Sequence, residues 1–145
     1  MYLIHPLPDS DRPAAWALVW QVFCTFEAPD YGPQGTAAFR RFLADPRETD
    51  ALDVWGAYDG KRLLGVLATR NGRSHIALCF VDGAHHRRGI GTALFKALLS
   101  ESRARPITVN ASPYALPFYQ RLCFVPTGPT QTADGIRFTP MQYRE

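Results

Sequence analysis

The stretch from Val81 to Leu94 constrains the fold of this chain more than any other. An apolar run ends at Val81. Asp82-Gly83-Ala84-His85-His86-Arg87-Arg88-Gly89-Ile90-Gly91 follows, and Thr92-Ala93-Leu94 leads into an amphipathic helix. A strand that turns this abruptly into a helix aims several backbone N–H groups, and the positive end of a helix dipole, at one spot. An anion fits there, and Arg87 and Arg88 add two positive charges beside it. Gly89 and Gly91 alone would say only that the turn is tight, so the context decides. A dinucleotide fold wants a third glycine where Leu94 stands, and a longer chain. A nucleoside-triphosphate loop wants Lys and then Ser or Thr after its last glycine, where this chain has Thr92-Ala93. Both are disfavoured.

The elements around the turn point to one mixed sheet. Tyr2 to Leu7, stopped by prolines, reads as an edge strand. Asp9, Ser10 and Asp11 offer cap oxygens to a helix in which Trp16, Val19, Trp20 and Phe23 recur at helical spacing. Ala28 to Gly35, with two prolines and two glycines, reads as a loop, and Thr36 to Ala44 as a second helix. Asp53 to Tyr58, Arg62 to Thr69 and His75 to Val81 are strands joined at Asp59-Gly60 and Asn71-Gly72, hence antiparallel. Helix Ile90 to about Ser102 then leads to a strand at Ile107 to Val109, a βαβ crossover that makes its two strands parallel. Pro117 opens a last helix, and Phe124 to Thr127 and Ile136 to Tyr143 close the sheet around a Pro/Gly/Thr loop.

At 145 residues the chain suits one domain over 1–145. A net charge of +3 fits an anionic small ligand and is too weak to argue for nucleic acid, although Arg87, Arg88, Arg103 and Arg105 would carry such a role. Cys24, Cys79 and Cys123 show no paired spacing, which predicts reduced thiols, no metal and a reducing compartment. No apolar stretch approaches the roughly 20 residues that span a bilayer, which predicts a cytoplasmic protein with no membrane span. His85-His86 is a poor metal pair, because neighbours on an extended segment diverge.

With these features in place, His86-Arg87-Arg88-Gly89-Ile90-Gly91 resembles the acetyl-CoA turn of the GCN5-related N-acetyltransferase (GNAT) superfamily, Gln/Arg-x-x-Gly-x-Gly/Ala. Ala111 to Phe124, with its Phe118-Tyr119 pair, resembles that superfamily's fourth-helix segment. The resemblance implies an α/β fold (an α+β mixed sheet) with antiparallel N-terminal strands, a βαβ crossover at the pyrophosphate turn and splayed central strands. It also implies transfer of acetyl from acetyl-CoA, as cosubstrate and without metal, to a small-molecule or peptide amine in a ternary complex. Turn amides from Arg87 through Gly89, Ile90, Gly91 and Thr92 would hold the pyrophosphate, and the backbone at Phe80 and Val81 would pair with pantetheine.

Tyr119 is the implied general acid, since a phenol of pKa about 10 stays protonated at neutral pH. Ser112 falls where many members carry a CoA-contacting Asn, or it caps the helix. His75 lies where some relatives place a catalytic Glu, and an imidazole can take a proton at physiological pH; Glu27 and Tyr31 are the other candidate bases. Phe26, Glu27, Asp30 and Tyr31 would form the acceptor wall and suit a cationic or aromatic amine. The closing strands often pair between subunits in that superfamily, which makes a homodimer an expectation. Two departures stand out: His86 replaces Gln or Arg, and Cys123 replaces a glycine. Two other readings remain at this stage, a non-catalytic acyl-CoA-binding regulatory module and, further behind, a nucleic-acid binder.

Overall fold

The computed structural model describes residues 2–145. In chain order the elements are β1 (Leu3–Pro6), α1 (Arg12–Phe26), α2 (Ala28–Ala44), α3 (Pro46–Thr49), β2 (Asp53–Asp59), β3 (Arg62–Arg70) and β4 (His75–Val81). There follow α4 (Ile90–Glu101), β5 (Ile107–Ala111), α5 (Leu116–Arg121), β6 (Val125–Pro126), β7 (Gln131–Ala133) and β8 (Ile136–Tyr143). The sheet order is β1-β2-β3-β4-β5-β8-β6, with β7 paired to β8. β1 to β4 form the antiparallel meander, and β4 and β5 are parallel, as a crossover through α4 requires.

Strand alternation divides the core into two layers. On one face Leu64, Leu67 and Ile76 pack against Ile90, Leu94 and Leu98 of α4. On the other, Val66, Leu78 and Phe80 pack against Val19 and Phe23 of α1. Each such fully buried side chain contributes roughly 1.5–3 kcal/mol.

The segment expected as a loop at Ala28 to Gly35 is helical. Pro29 falls in the first turn of α2, where its missing N–H costs nothing, and Gly32 (φ 68°, ψ −172°) breaks the helix just before Pro33 restarts it. The prolines here start helical turns, whereas their composition read as loop. Asp9, Ser10 and Asp11 do not cap α1 with their side chains. They form a 3₁₀ turn, and Asp11 instead accepts a 2.6 Å hydrogen bond from the Tyr58 hydroxyl. The expected closing loop contains β7, a hairpin arm turned at Asp134-Gly135, both at positive φ. No described helix is long and apolar enough to cross a membrane.

Candidate active site

The turn after β4 is built from backbone. Gly89 sits at the α4 N-cap in the left-handed region (φ 79°) with no side-chain cap, and Arg87 is left-handed too (φ 65°). The first-turn amides of α4 therefore lack intrahelical partners. They border a cavity of about 750 Å³, lined here by Arg87, Gly89, Ile90, Gly91 and Thr92. A Cβ on Gly91 would stand 2.9 Å from the Phe118 ring, so glycine is what lets α5 close over the turn.

The second wall comes from a split in the sheet. β4 pairs with β5 only at His75 and Ile76, and from Ala77 to Val81 that edge has no strand beside it. Unpaired strand edges offer N–H and C=O groups to an extended ligand. Phe80 and Val81 lie on this edge and line the larger cavity.

A smaller cavity of about 240 Å³ opens on the other side of the split. Phe23, Tyr31, Phe39 and Phe80 form an aromatic wall, and Arg70 and His75 lie at the β4 start. Glu27, Cys79, Phe80 and Ala115 line both cavities, so the two spaces meet at these residues.

Glu27 ends α1 and begins α2, at an elbow that turns its carboxyl inward; it is 9% exposed. Burial pushes its pKa from 4.5 up to about 7; the Ser112 hydroxyl pulls it down and Asp30 adds to the rise. Tyr119, 4% exposed, faces the Cys79 thiol, and burial raises its phenol well above the ordinary value. Burial likewise pushes the Cys79 thiol up to about 12. Burial, and then the charge on Glu27, raise Tyr31. His75 moves the other way, to about 4, through burial and the nearby Arg70 charge, and its Nδ1 lies 2.8 Å from Thr108 Oγ1.

Tyr119 is held by the end of its own helix. Phe124 N–H donates to the Tyr119 carbonyl (3.0 Å) and Cys123 N–H to that of Gln120 (3.0 Å). The Tyr119 and Phe124 rings meet edge to face at 5.3 Å. This is a Schellman motif, and Cys123 (φ 74°) occupies its left-handed position.

Two predicted residues take different places. Phe26 lies outside both cavity linings; it packs on Gly83, 4.6 Å from the His86 ring and 5.1 Å from that of Tyr114. His86 lines the larger cavity but folds back, its Nε2 2.6 Å from the Val81 carbonyl and its Nδ1 3.1 Å from the Tyr114 hydroxyl. One neutral tautomer satisfies both bonds: Nε2–H donates to the carbonyl, and Nδ1 accepts from the phenol. Arg88 is exposed beside the turn. The Ser112 hydroxyl accepts the Ala115 amide at 3.1 Å, which caps the turn entering α5.

Cys79 and Arg70 escaped the sequence reading. Arg70 follows from the strand pattern, opposite His75 in the β3–β4 register, whereas an unpaired Ala77 breaks the alternation between His75 and Cys79, which stands opposite Leu67. His85, held by Asp82 Oδ2 at 2.8 Å from its Nδ1, also lines the larger cavity.

The family profile described as Acetyltransferase (GNAT) domain matches residues 27–145. The chain belongs to the GNAT family. Its fold is shared with the GCN5-related N-acetyltransferase of Rhodopseudomonas palustris, at 22% identity and TM-score 0.84, over 99% of this chain and 95% of that one. It is shared too with the PaiA N-acetyltransferase of Thermoplasma acidophilum, solved with coenzyme A (13%, TM-score 0.72, 100% and 99%). A third is the ribosomal-protein-S18-alanine N-acetyltransferase of Escherichia coli (19%, TM-score 0.62, 98% and 92%). No curated protein matches the sequence. The glycine turn of this GNAT chain and its split sheet both fall within the matched region, which begins at Glu27 itself.

Proposed function

We propose that the protein transfers an acetyl group from acetyl-CoA to a primary amine of a small molecule or peptide, by direct attack with both bound. Glu27 carries this reading: a buried carboxyl, poised near pH 7, stands where the two cavities meet. The donor site suits the coenzyme on its own geometry. Uncapped amides around Gly89 and the Arg87 charge would hold a pyrophosphate, and the open β4 edge would take an extended pantetheine. Crowding by Glu27, Cys79, Phe80 and Ala115 at the junction favours a short acyl group. When bound, acetyl-CoA supplies an activated acetyl thioester.

The chain's own groups then manage the protons. Glu27 takes the proton that leaves the attacking nitrogen, because a base with pKa near the working pH balances availability against strength. His75 is less suited: at about 4 its imidazole binds a proton weakly, and Thr108 already occupies one ring nitrogen. Tyr119 holds a proton for the departing sulfur. Its phenol is harder to ionise than usual, yet a thiol in the same surroundings is too, as Cys79 beside it illustrates. Acid and leaving group therefore stay comparable in strength.

Binding and turnover together test the reading. Acetyl-CoA should protect the protein against thermal unfolding, and a broad amine panel should contain acceptors with stoichiometric thiol release. Tyr119→Phe should lower kcat by about 10²-fold while coenzyme affinity holds. Binding with no turnover on any amine would favour the regulatory module instead.

A further inference from the structure

The smaller cavity carries opposite charges at its two ends. Among its lining residues Glu27 is the one carboxylate and Arg70 the one guanidinium. Arg12, Arg47, Arg62 and Arg73 each pair with an aspartate, whereas Arg70 makes no ion pair or side-chain hydrogen bond among the described residues. A partly buried guanidinium left free at a cavity wall is a ready partner for an anion, and its planar fork matches a carboxylate.

The register sets the spacing. Arg70 stands opposite His75, and Cys79, at the junction with Glu27, is four residues further along β4. Because β4 bulges at Ala77, the same interval along β3 is the three residues from Arg70 to Leu67, which at about 3.3 Å per residue separates the two backbone positions by about 10 Å. A carboxylate set several bonds away from the amine suits this spacing better than one that adjoins it. Aromatic rings of Phe23, Tyr31 and Phe39 fill the wall between. Of the other charges nearby, Asp30 acts on Glu27 at the amine end, and Arg137 of β8 acts on Tyr31, which also feels Glu27 and Asp30. Arg137 therefore offsets negative charge at that end and adds none beside Arg70.

We propose that the acceptor is an elongated amine, its nitrogen joined through an aromatic or apolar body to a distal carboxylate that Arg70 binds. This rests on the acetyl-transfer reading above. The matched pair 4-(aminomethyl)benzoate and 4-(aminomethyl)benzamide, which differ only in that charge, tests it in acetyl-CoA-dependent turnover. The wild-type protein should prefer the carboxylate in kcat/KM by about tenfold or more, as a charge-assisted hydrogen bond commands. Arg70→Gln should bring the pair to parity, and Arg70→Glu should reverse it towards 4-(aminomethyl)benzylamine. Phenylalanine, with its carboxylate beside the amine, should gain nothing over phenethylamine. A wild-type preference under about twofold, or one that survives in both Arg70 variants, overturns the proposal. In that case transfer to uncharged amines would leave the acetyltransferase reading standing. Acetyl-CoA binding with no transfer to any amine would overturn both.

Discussion

The proposed donor side and acceptor side of this candidate active site are made from different materials. The donor turn is backbone drawn from a dozen consecutive residues, Val81 to Thr92, closed by Phe118. The proposed acceptor cavity is side chains gathered from Phe23 to Ile136, across α1, α2, four strands and α5. A backbone site leaves its mark in glycines at fixed spacing. A side-chain site depends on how distant elements happen to pack, and its walls change without changing the fold. The proposed donor half is therefore written in one local segment of the chain, and the proposed acceptor half is not.

Two alanine substitutions separate the halves. A Cβ on Gly35 would fall 2.3 Å from the Gly135 carbonyl oxygen and 2.7 Å from Tyr31 Cβ, where α2 meets the β7–β8 turn. Gly35→Ala should cost about 2–3 kcal/mol and raise the acceptor KM severalfold, with coenzyme affinity within twofold. Gly91→Ala meets only the Phe118 ring, at 2.9 Å. It should cost about 1–2 kcal/mol and weaken acetyl-CoA binding while leaving the acceptor KM alone. Denaturant unfolding and steady-state kinetics on both variants read the contrast.

Acidity gives the next effect in size. Below pH 4.5 Glu27 is protonated in folded and unfolded chains alike, so burying it carries no ionisation penalty. As pH rises through about 7, the unfolded chain has gained free energy by ionising and the folded chain has lagged. Stability from Glu27 is thus present at low pH and lost towards pH 7. The shift from 4.5 to about 7 amounts to about 3 kcal/mol. His75 has the opposite sign, with its depressed pKa removing stability as pH falls from 6.5 through 4. Glu27→Gln should therefore gain on the wild type by about 3 kcal/mol between pH 4.5 and 8.5, measured by denaturant unfolding at the two pH values. A constant difference across that range would contradict the burial argument.

The smallest effect lies in the cap that fixes Tyr119. A non-glycine residue in the left-handed region costs about 1 kcal/mol, partly offset by the flexibility that glycine adds to the unfolded chain. Cys123 is exposed and left-handed. Cys123→Gly should raise stability by about 0.5 kcal/mol with no change in kcat.

The sequence shows the donor half well. β4 has the expected bounds, α4 starts at the expected Ile90, and the left-handed Cys123 stands where a glycine was missing. The acceptor half is harder to see. Pro29, Gly32 and Pro33 have the composition of a loop, yet α2 is helical, since proline is harmless in a first turn and only packing against α1 and β8 selects that outcome. Phe26 and Tyr31 flank the same elbow, but helical rotation sends Tyr31 into the smaller cavity and Phe26 towards His86. Glu27 and His75 were both readable as bases. Their burial and their neighbours distinguish them, and neither property is local in sequence.

The central claim is that Glu27, at the meeting point of the two halves, takes the amine's proton. Its most direct test is the pH dependence of kcat/KM for an alkylamine acceptor, in the wild type and in Glu27→Gln. The wild type should climb with pH and bend near 7, apart from the amine's own ionisation at higher pH. Glu27→Gln should fall by about 10²-fold and lose that bend. A variant that keeps both the rate and the bend near 7 would place the base elsewhere.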